Sequence, residues 1–528
     1  MTTAPPGSIA YFSMEIGVDP SLPTYSGGLG VLAGDTLRAA ADAGAPIVAM
    51  TLLHRKGYFR QHLDSRGNQT ESSPEWSPEQ YLEPIEPRVV VLIEGRPVLV
   101  RAWRYTVRGI TGRTVPVYFL DTTLSENLAW DQGLTAALYS GDAFYRLCQE
   151  TVLGIGGISM LRALGHKNIQ AYHMNEGHSA LLTIALLKEQ IQGIGQRSPS
   201  RDDVEGVREQ CVFTTHTPVA AGHDQFPSRQ VRQVLGVETA ELMEKAGCFV
   251  DDTLTMTHLA LSFSRYVNGV SMRHEQVSRG MFPDFPISSI TNGVHAVTWT
   301  HKHFQDLYDR YFPQWRKDNM YLRSAVSLPL EEVQETHSRV KKDLLLEVAK
   351  RSGVTLDPAA FTIGFARRAT AYKRADLLFS NIDRLKRIVR EAGPIQVILG
   401  GKAHYRDEGG KEVIRRVFQA AEALRNVFPV IYLEEYDMAL AKLVCSGTDL
   451  WLNTPQQPHE ASGTSGMKAA MNGVPSLSVL DGWWIEGHVE GVTGWSIGSS
   501  WNPEGTTEDE SRSLYDKLEF LIAPMFYS

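Results

Sequence analysis

The chain has 528 residues, of which 43% are hydrophobic and 21% are charged, and its formal net charge is −8. This is the composition of an ordinary globular protein, long enough for about two to four domains with large cores. The acidic balance argues against a nucleic-acid-binding protein, because such proteins concentrate basic residues on one face. Any local basic cluster is therefore informative.

The cysteines and the N-terminal segment bear on the cellular compartment. Four scattered cysteines without a C-x-x-C pair predict neither a disulfide framework nor a structural zinc site. The N-terminal segment has no basic stretch followed by a long apolar run, and no stretch of the chain is long enough to span a membrane. We expect a cytoplasmic protein without membrane or nucleic-acid partners. A homodimer is one candidate assembly.

Short β-rich runs alternate with amphipathic helical stretches, which predicts an α/β fold. The strands predicted in the first half are residues 9–12, 46–53, 115–120 and 210–215, with an edge hairpin within residues 89–107. Those predicted in the second half are residues 361–366, 395–399, 430–433, 450–453 and 475–480. A helix is predicted at residues 375–390, where apolar residues recur at helical spacing.

The stretch of residues 289–358 interrupts this alternation, because it is rich in aromatic and charged residues and mostly helical in pattern. We place a domain boundary near Asn292, which gives domains of residues 1–291 and 292–528. Two doubly wound halves predict a cleft lined by loops at the carboxyl ends of the strands.

Residues 460–468, EASGTSGMK, form a candidate anion site between a predicted strand and a short helix. Thr464 or Ser465 can cap that helix, and Gly463 lets the backbone approach a ligand closely. Lys468 then lies about one turn inside the helix, near the anion. The alternative interpretation is a glycine-rich turn with an exposed helical lysine.

Residues 367–374, RRATAYKR, form a basic cluster between a predicted strand and the predicted helix of residues 375–390. Four cations beside a helix N-terminus repel one another and oppose the helix dipole, so a bound anion would relieve both penalties. Arginine offers bidentate phosphate contacts and lysine a point charge. The alternative is a solvated loop whose arginines pair with nearby acids such as Asp376.

Three further signals are weaker. The turn YSGGLG at residues 25–30 precedes a helical stretch and suits close approach of an anion. His173 and His178 are five residues apart, about 140° around a helix, and Gly177 favours a turn, so we predict no metal site there. His216 follows a predicted strand, where α/β sheets place ligand-binding residues, although a structural histidine is the alternative.

Together these motifs resemble the glycogen and starch phosphorylases, most closely the short bacterial α-glucan phosphorylase branch. Residues 460–468 resemble the cofactor-lysine motif of that family. The other matching segments follow the same order along nearly the whole chain, at residues 26–30, 175–178, 216–217, 291–293, 367–374, 400–402 and 435–436. The resemblance implies a GT-B fold, in which two Rossmann-like lobes enclose the active-site cleft and the second lobe binds the cofactor.

The resemblance also implies roles for individual residues. Pyridoxal 5′-phosphate would be carried by Lys468, with contacts from Gly463, Thr464, Ser465, Arg367, Tyr436 and Trp299. Substrate phosphate would be held by Arg368, Lys373 and the backbone of Gly28. The glucosyl unit would be contacted by His216, Asn292, Glu460, Ser462 and Glu176. The implied reaction is reversible, retaining phosphorolysis of α-1,4-glucan to α-D-glucose 1-phosphate, with the cofactor phosphate as general acid.

The sequence departs from the family pattern at three of the matched positions. Thr370 replaces a histidine, Asp437 an arginine and Glu176 an aspartate, and the first two changes resemble the short branch. The long N-terminal region with phosphorylation and nucleotide sites is absent, so we expect no regulation by those routes. The family pattern predicts one more helix after residues 514–522, packed on the first lobe.

Two other functions remain as alternatives. A nucleotide-sugar glucan synthase shares the fold and a similar glycine-rich turn, but Lys468 in its motif argues against it. A catalytically silent glucan-binding protein is the second alternative. The joint presence of Lys468, Arg368 and Lys373 argues against that one.

Overall fold

The chain divides into two units, each made of two segments. Met1–Phe59 and Ser73–Thr291 form the first unit, and Arg60–Ser72 and Asn292–Ser528 form the second. The computed structural model describes residues 7–192, 198–219, 222–498 and 505–528. None of the helices in these ranges is both long and apolar enough to cross a membrane.

Nineteen strands are found in the described ranges. In chain order they are β1 (Ser8–Ser13), β2 (Ile47–Leu52), β3 (Arg60–Leu63), β4 (Gln69–Ser72), β5 (Glu83–Ile93), β6 (Arg96–Arg108), β7 (Thr114–Asp121), β8 (Ile169–Asn175), β9 (Cys211–Thr214), β10 (Gln225–Pro227), β11 (Thr253–Thr255), β12 (Tyr266–Gly269), β13 (Ile287–Ser289), β14 (Phe361–Ala366), β15 (Ile395–Gly400), β16 (Val430–Leu433), β17 (Leu450–Asn453), β18 (Ser476–Val479) and β19 (Gly494–Ile497).

The α-helices lie mostly between these strands. In chain order they are α1 (Gly28–Ala43), α2 (Ala129–Gln132), α3 (Ala143–Thr151), α4 (Gly157–Ala163), α5 (Leu182–Gln192), α6 (Arg201–Arg208), α7 (Ser228–Leu235), α8 (Val237–Lys245), α9 (Met256–Ser262), α10 (Met272–Met281), α11 (Ala296–Trp299), α12 (Lys302–Tyr311), α13 (Leu330–Ser352), α14 (Ile382–Ala392), α15 (Glu408–Leu424), α16 (Met438–Gly447), α17 (Ser465–Ala470), α18 (Trp484–Gly487), α19 (Thr507–Lys517) and α20 (Ala523–Tyr527).

The first unit is built on a nine-stranded sheet in the order β13-β12-β9-β8-β1-β2-β7-β6-β5. Neighbouring strands from β13 to β7 are parallel, whereas β7, β6 and β5 are antiparallel. The predicted hairpin is β5–β6 at the edge of this sheet, so that prediction is confirmed. The mixed sheet with interspersed helices confirms the α/β class.

The second unit contains an all-parallel sheet in the order β16-β15-β14-β17-β18-β19. Every residue of β14 and β15 is buried, as expected of parallel strands covered by helices on both faces. The predicted bounds of β14, β16 and β17 agree with the structure, because such strands are continuous apolar runs flanked by turn residues.

The helix predicted at residues 375–390 is wrong in its first turns. A short 3-10 turn occupies Leu377–Phe379, and α14 begins only at Ile382. The side chain of Asn381 accepts a hydrogen bond from the backbone N–H of Arg384 and caps α14 there. The basic cluster is therefore separated from the helix N-terminus, and its cations do not oppose the dipole of α14 as predicted.

The sequence did not predict the small hairpin β3–β4, which belongs to the second unit although it precedes most of the first. Gln61 Nε2 donates to the carbonyl of Gly401, and Gln69 Nε2 donates to the carbonyl of Ala403. The hairpin thereby supports the loop after β15. Strands β8, β10 to β13 and β19 were likewise not predicted.

Candidate active site

Lys468 lies on α17 and is buried, with only 8% of its surface exposed. Its Nζ is 3.8 Å from the ring centroid of Trp299, a cation–π distance. Asn472 fixes this pair, because its Nδ2 donates to the carbonyls of Trp299 and Lys468, each at 2.9 Å. The alternative of an exposed helical lysine is therefore wrong.

Glu460 joins two members of the basic cluster. One carboxylate oxygen is 2.6 Å from a guanidinium nitrogen of Arg367, and Lys373 Nζ is 2.7 Å from both oxygens. Burial by itself would raise the pKa of Glu460, but the charges of Arg367 and Lys373 outweigh it and lower the pKa to about 2. Two cations thus share one ionised carboxylate, which leaves excess positive charge.

The other two cations of the cluster behave differently. Arg374 donates to the carbonyls of Thr454 and Pro455 and forms an ion pair with Glu510, so it stabilises the fold. Arg368 is exposed. Arginines of the cluster do pair with acids, as in the alternative interpretation, but these acids are Glu460 and Glu510. Asp376, named as an example of such an acid, contacts Arg416 on α15 at 2.7 Å.

The turn before α17 places several predicted cofactor residues together. Gly463 has a φ of 84°, and its carbonyl accepts a hydrogen bond from Trp483 Nε1. A Cβ at Gly463 would lie 3.3 Å from Cγ of Glu460, so the turn lies against that carboxylate. Ser465 Oγ accepts from Trp451 Nε1 at 3.2 Å. The side chain of Thr464 does not cap α17, contrary to the prediction.

Buried polar atoms around this turn lack partners within the described residues. Arg367 Nε and Ser462 Oγ, and in the basic cluster also Thr370 Oγ1, are buried without a hydrogen bond from the described protein. Buried donors are normally satisfied, so these atoms indicate room for a polar ligand. Tyr436 is half-buried beside Gly400, whose Cβ would approach its ring to 3.4 Å.

In the first unit, the glycine-rich turn is organised by a residue that the sequence argument missed. Glu15 accepts hydrogen bonds from the backbone N–H groups of Ser26 at 2.6 Å and Gly27 at 3.3 Å, and from Tyr139 Oη at 2.8 Å. Burial raises the pKa of Glu15, and these hydrogen bonds only partly oppose the shift. The exposed Gly28 then opens α1, with free space where a side chain would lie.

His216 and Glu176 meet at the carboxyl ends of β8 and β9. Glu176, whose φ is 72°, accepts hydrogen bonds from the N–H groups of Gly177 and His216 and from the hydroxyl of Thr217. His216 Nε2 lies 2.6 Å from Asn175 Oδ1. Burial lowers the pKa of His216 to about 4, so the imidazole is neutral near pH 7. Glu176 therefore positions the loop that carries His216.

The structure brings the predicted residues together in two groups. The second unit gathers Arg367, Lys373, Glu460, Ser462, Gly463, Ser465, Lys468 and Trp299. In the first unit, Ser13 Oγ accepts from Asn175 Nδ2 and donates to the carbonyl of Glu15, which links the His216 loop to the glycine-rich turn. Asn292 is half-buried between β13 and α11.

Glu15 and Asn175 were missed as functional candidates for different reasons. Glu15 follows β1 at the carboxyl edge of a parallel strand, a position that could have identified it. Asn175 lies in the matching segment of residues 175–178, but the sequence assigns it no role, although it ends β8 and orients His216.

The chain is similar to known proteins. Residues 224–491 match the family model described as carbohydrate phosphorylase. The chain is 38% identical to a maltodextrin phosphorylase of Thermococcus litoralis and 37% identical to a glycogen phosphorylase of Mycobacterium tuberculosis, covering 98% and 99% of this chain. It spans 66% of the length of each of these two relatives.

A glycogen phosphorylase of Aquifex aeolicus is 33% identical over 98% of this chain and 80% of its own length. The matched family segment covers Glu460, Lys468 and the whole basic cluster, all of which lie in the second unit. The chain belongs to the carbohydrate phosphorylase family.

Proposed function

We propose that the protein is an α-1,4-glucan phosphorylase that binds pyridoxal 5′-phosphate at Lys468 and releases α-D-glucose 1-phosphate. The observation that carries the proposal is the buried Lys468 amine against Trp299 in the unit where Arg367 and Lys373 share one carboxylate. Relatives named for maltodextrin and glycogen support an α-glucan as substrate. The family match disfavours a nucleotide-sugar synthase.

The residues around Lys468 fit an anionic aromatic cofactor. The open turn at Gly463 and the unpartnered Nε of Arg367 suit the phosphate group, while Trp299 and Tyr436 offer aromatic surface near its ring. Thr464 and Ser465 complete the turn. When bound, the cofactor would supply a phosphate that acts as a general acid towards substrate phosphate.

Substrate phosphate is assigned to Arg368 and Lys373 together with the backbone N–H of Gly28. Lys373 is held by Glu460, so its charge is fixed in position, whereas the exposed Arg368 can adjust to a ligand. The first N–H groups of a helix such as α1 favour an anion. The GT-B arrangement and the joint use of these three groups for one phosphate are parts of the proposal.

The glucosyl unit is assigned to neutral hydrogen-bonding groups and one carboxylate. In the neutral tautomer of His216 that donates from Nε2 to Asn175, Nδ1 accepts a hydrogen bond from a sugar hydroxyl. Glu460 retains lone pairs for a further donor, and Ser462 Oγ is available as a donor or acceptor. The side-chain amide of Asn292 is the remaining group assigned to the sugar. Glu176 acts indirectly, because it accepts the backbone N–H of His216.

The test is phosphate-dependent release of glucose 1-phosphate from maltodextrin by the purified protein. Borohydride reduction followed by peptide mapping should place the cofactor label on Lys468. Lys468→Ala should abolish both the label and turnover, whereas Lys350→Ala, which removes an exposed lysine of α13, should change neither. An unlabelled Lys468 in cofactor-loaded protein would refute the assignment of the cofactor.

The two alternatives predict different results in the same assay. A synthase would transfer glucose from a nucleotide sugar and would carry no label on Lys468. A silent glucan-binding protein would retain maltodextrin without releasing glucose 1-phosphate, and that result would refute the proposed activity.

A further inference from the structure

Two histidines and an aspartate of the second unit converge away from the residues assigned above. His301 precedes α12, His303 lies in its first turn, and Asp343 lies on α13. His303 Nε2 is 3.0 Å and His301 Nε2 is 3.7 Å from the same oxygen of Asp343. One ligand atom from each of the three residues lies within 4.8 Å of the others.

These distances suit coordination of one ion. Zinc binds imidazole nitrogen and carboxylate oxygen at about 2.0–2.2 Å, so tetrahedral ligands lie about 3.3–3.5 Å apart. The observed separations of 3.0 and 3.7 Å bracket that value. The side chains of His303 and Asp343 are 34% and 43% exposed, so an ion can enter from solvent and keep water as a further ligand.

The ring of His301 also caps α12. His301 Nδ1 accepts the backbone N–H of His303 at 3.3 Å, near the long limit of a hydrogen bond. A metal at Nε2 requires the ring proton on Nδ1, so metal binding gives up this one long contact.

A second group, Glu150, His178 and Asp224, has similar spacing in the first unit. There, however, the guanidinium of Arg146 forms an ion pair with Asp224 and lies 3.7 Å from Glu150. A cation of the protein already occupies that position, which makes the group a poor metal site. Asp343, by contrast, has the two histidines as its ion-pair partners among the described residues.

We propose that His301, His303 and Asp343 bind a divalent transition metal of the Zn²⁺ class. Such an ion would fix the start of α12 against α13. Its effect extends to Lys468, because the N–H of His301 donates to Asn472 Oδ1 at 2.7 Å and Asn472 also binds the carbonyls of Trp299 and Lys468. Binding of the ion does not itself require the proposed activity.

The test is a titration of the chelator-treated full chain with Zn²⁺, and with Co²⁺ as a spectroscopic probe. We expect one high-affinity equivalent per chain, the visible d–d bands of tetrahedral cobalt, and a rise in Tm by a few degrees at saturation. His303→Ala and Asp343→Asn should each weaken binding more than about 100-fold, since even losing a group that only orients a ligand costs about 10- to 100-fold.

His337→Ala is the matched control. His337 also lies on α13 and contacts an aspartate, Asp449, at 2.9 Å, but it belongs to neither of the two three-residue groups found among the described residues. This variant should keep full affinity. Binding that persists in Asp343→Asn but is lost in Glu150→Gln would assign the ion to the first unit and overturn the proposal. Absence of a high-affinity equivalent in the unmodified chain would also overturn it.

Discussion

Two buried glutamates, one in each unit, have different kinds of partner, and their pKa values shift in opposite directions. Glu15 is 2% exposed and accepts hydrogen bonds from neutral groups of Ser26, Gly27 and Tyr139. Glu460 is 6% exposed and contacts two cations. Burial raises the pKa of Glu15 despite its hydrogen bonds, whereas the two cations overcome burial and lower the pKa of Glu460 to about 2.

This difference shows how each unit suits its proposed ligand. Neutral donors only partly compensate the desolvation of a charge, whereas full positive charges overcompensate it. The first unit therefore offers a hydrogen-bonding frame, which suits sugar hydroxyls and backbone contacts. The second unit offers excess positive charge around Glu460, which suits phosphate groups. Substitutions in the two units should differ accordingly.

Glu460→Gln should have the largest effect on stability. The substitution leaves the buried Arg367 and Lys373 without their counter-ion, and breaking a buried ion pair on one side costs about 3–5 kcal/mol. Chemical denaturation should show this loss. Added phosphate should recover more of the Tm in the variant than in the unmodified protein, because an anion can replace the carboxylate. Equal stability of the two proteins would contradict the charge argument.

The pH dependence provides a second measurement on Glu460. Its folded pKa of about 2 lies below the ordinary value of 4.5, so its contribution to stability is fully present above about pH 4.5. It is lost as the pH falls from there towards 2. The difference in unfolding free energy between the unmodified protein and Glu460→Gln should therefore shrink over that range. A constant difference would show that the carboxylate is not ionised in the fold.

Arg368→Ala should mainly affect turnover. A charge-assisted contact made in the transition state is worth about 2–4 kcal/mol, so turnover should fall about 30- to 1000-fold with cofactor content unchanged. Arg374→Ala is the matched control, because Arg374 binds carbonyls and Glu510. It should lower Tm and leave turnover per folded molecule largely intact. Normal turnover of Arg368→Ala at low phosphate would remove Arg368 from the site.

Much of the second sheet was predictable because local sequence determines it. Strands β14, β16 and β17 are apolar runs bounded by turn residues. The hairpin β3–β4 was not predictable in this way. Its strands, RQHL and QTES, have no apolar alternation, and the side chains of Gln61 and Gln69 bind backbone carbonyls more than 300 positions away.

The site was predictable as a set of residue types but not as a set of contacts. The motif around Lys468 and the basic cluster were both recognised, yet the bond between Arg367 and Glu460 joins residues 93 positions apart. The arginines pair with the distant Glu460 and Glu510, whereas the nearby Asp376 contacts Arg416 of α15. Glu15 was missed because two of its partners are backbone N–H groups, which no side-chain pattern records, and its partner Tyr139 lies 124 positions away.

His216→Ala tests the hydrogen-bonding frame of the first unit. Losing one bond to a buried hydroxyl costs about 1–3 kcal/mol, so turnover with glucan should fall about 5- to 150-fold. Cofactor absorbance should be unchanged. Thr217→Val, which removes the hydroxyl that donates to Glu176 but keeps His216, should affect turnover less. A lowered Tm with unchanged turnover per bound cofactor would make His216 a structural residue.

Glu15→Gln should have the smallest effect, and it contrasts most directly with Glu460→Gln. The amide oxygen still accepts the N–H of Ser26, and the amide NH₂ can donate to the oxygen of Tyr139, so we expect a loss within about 1 kcal/mol near pH 5. Because burial raises the folded pKa of Glu15, the folded protein holds its proton more tightly than the unfolded chain. The stability of the unmodified protein should therefore fall as pH rises above the ordinary value of 4.5, and the variant should lack this fall. Denaturation at several pH values between about 4 and 8 measures the difference, which should move in favour of the variant as pH rises. A loss of stability as large as that of Glu460→Gln would mean that Glu15 is an ionised counter-charge. The two glutamates would then not differ in the way that their opposite pKa shifts indicate.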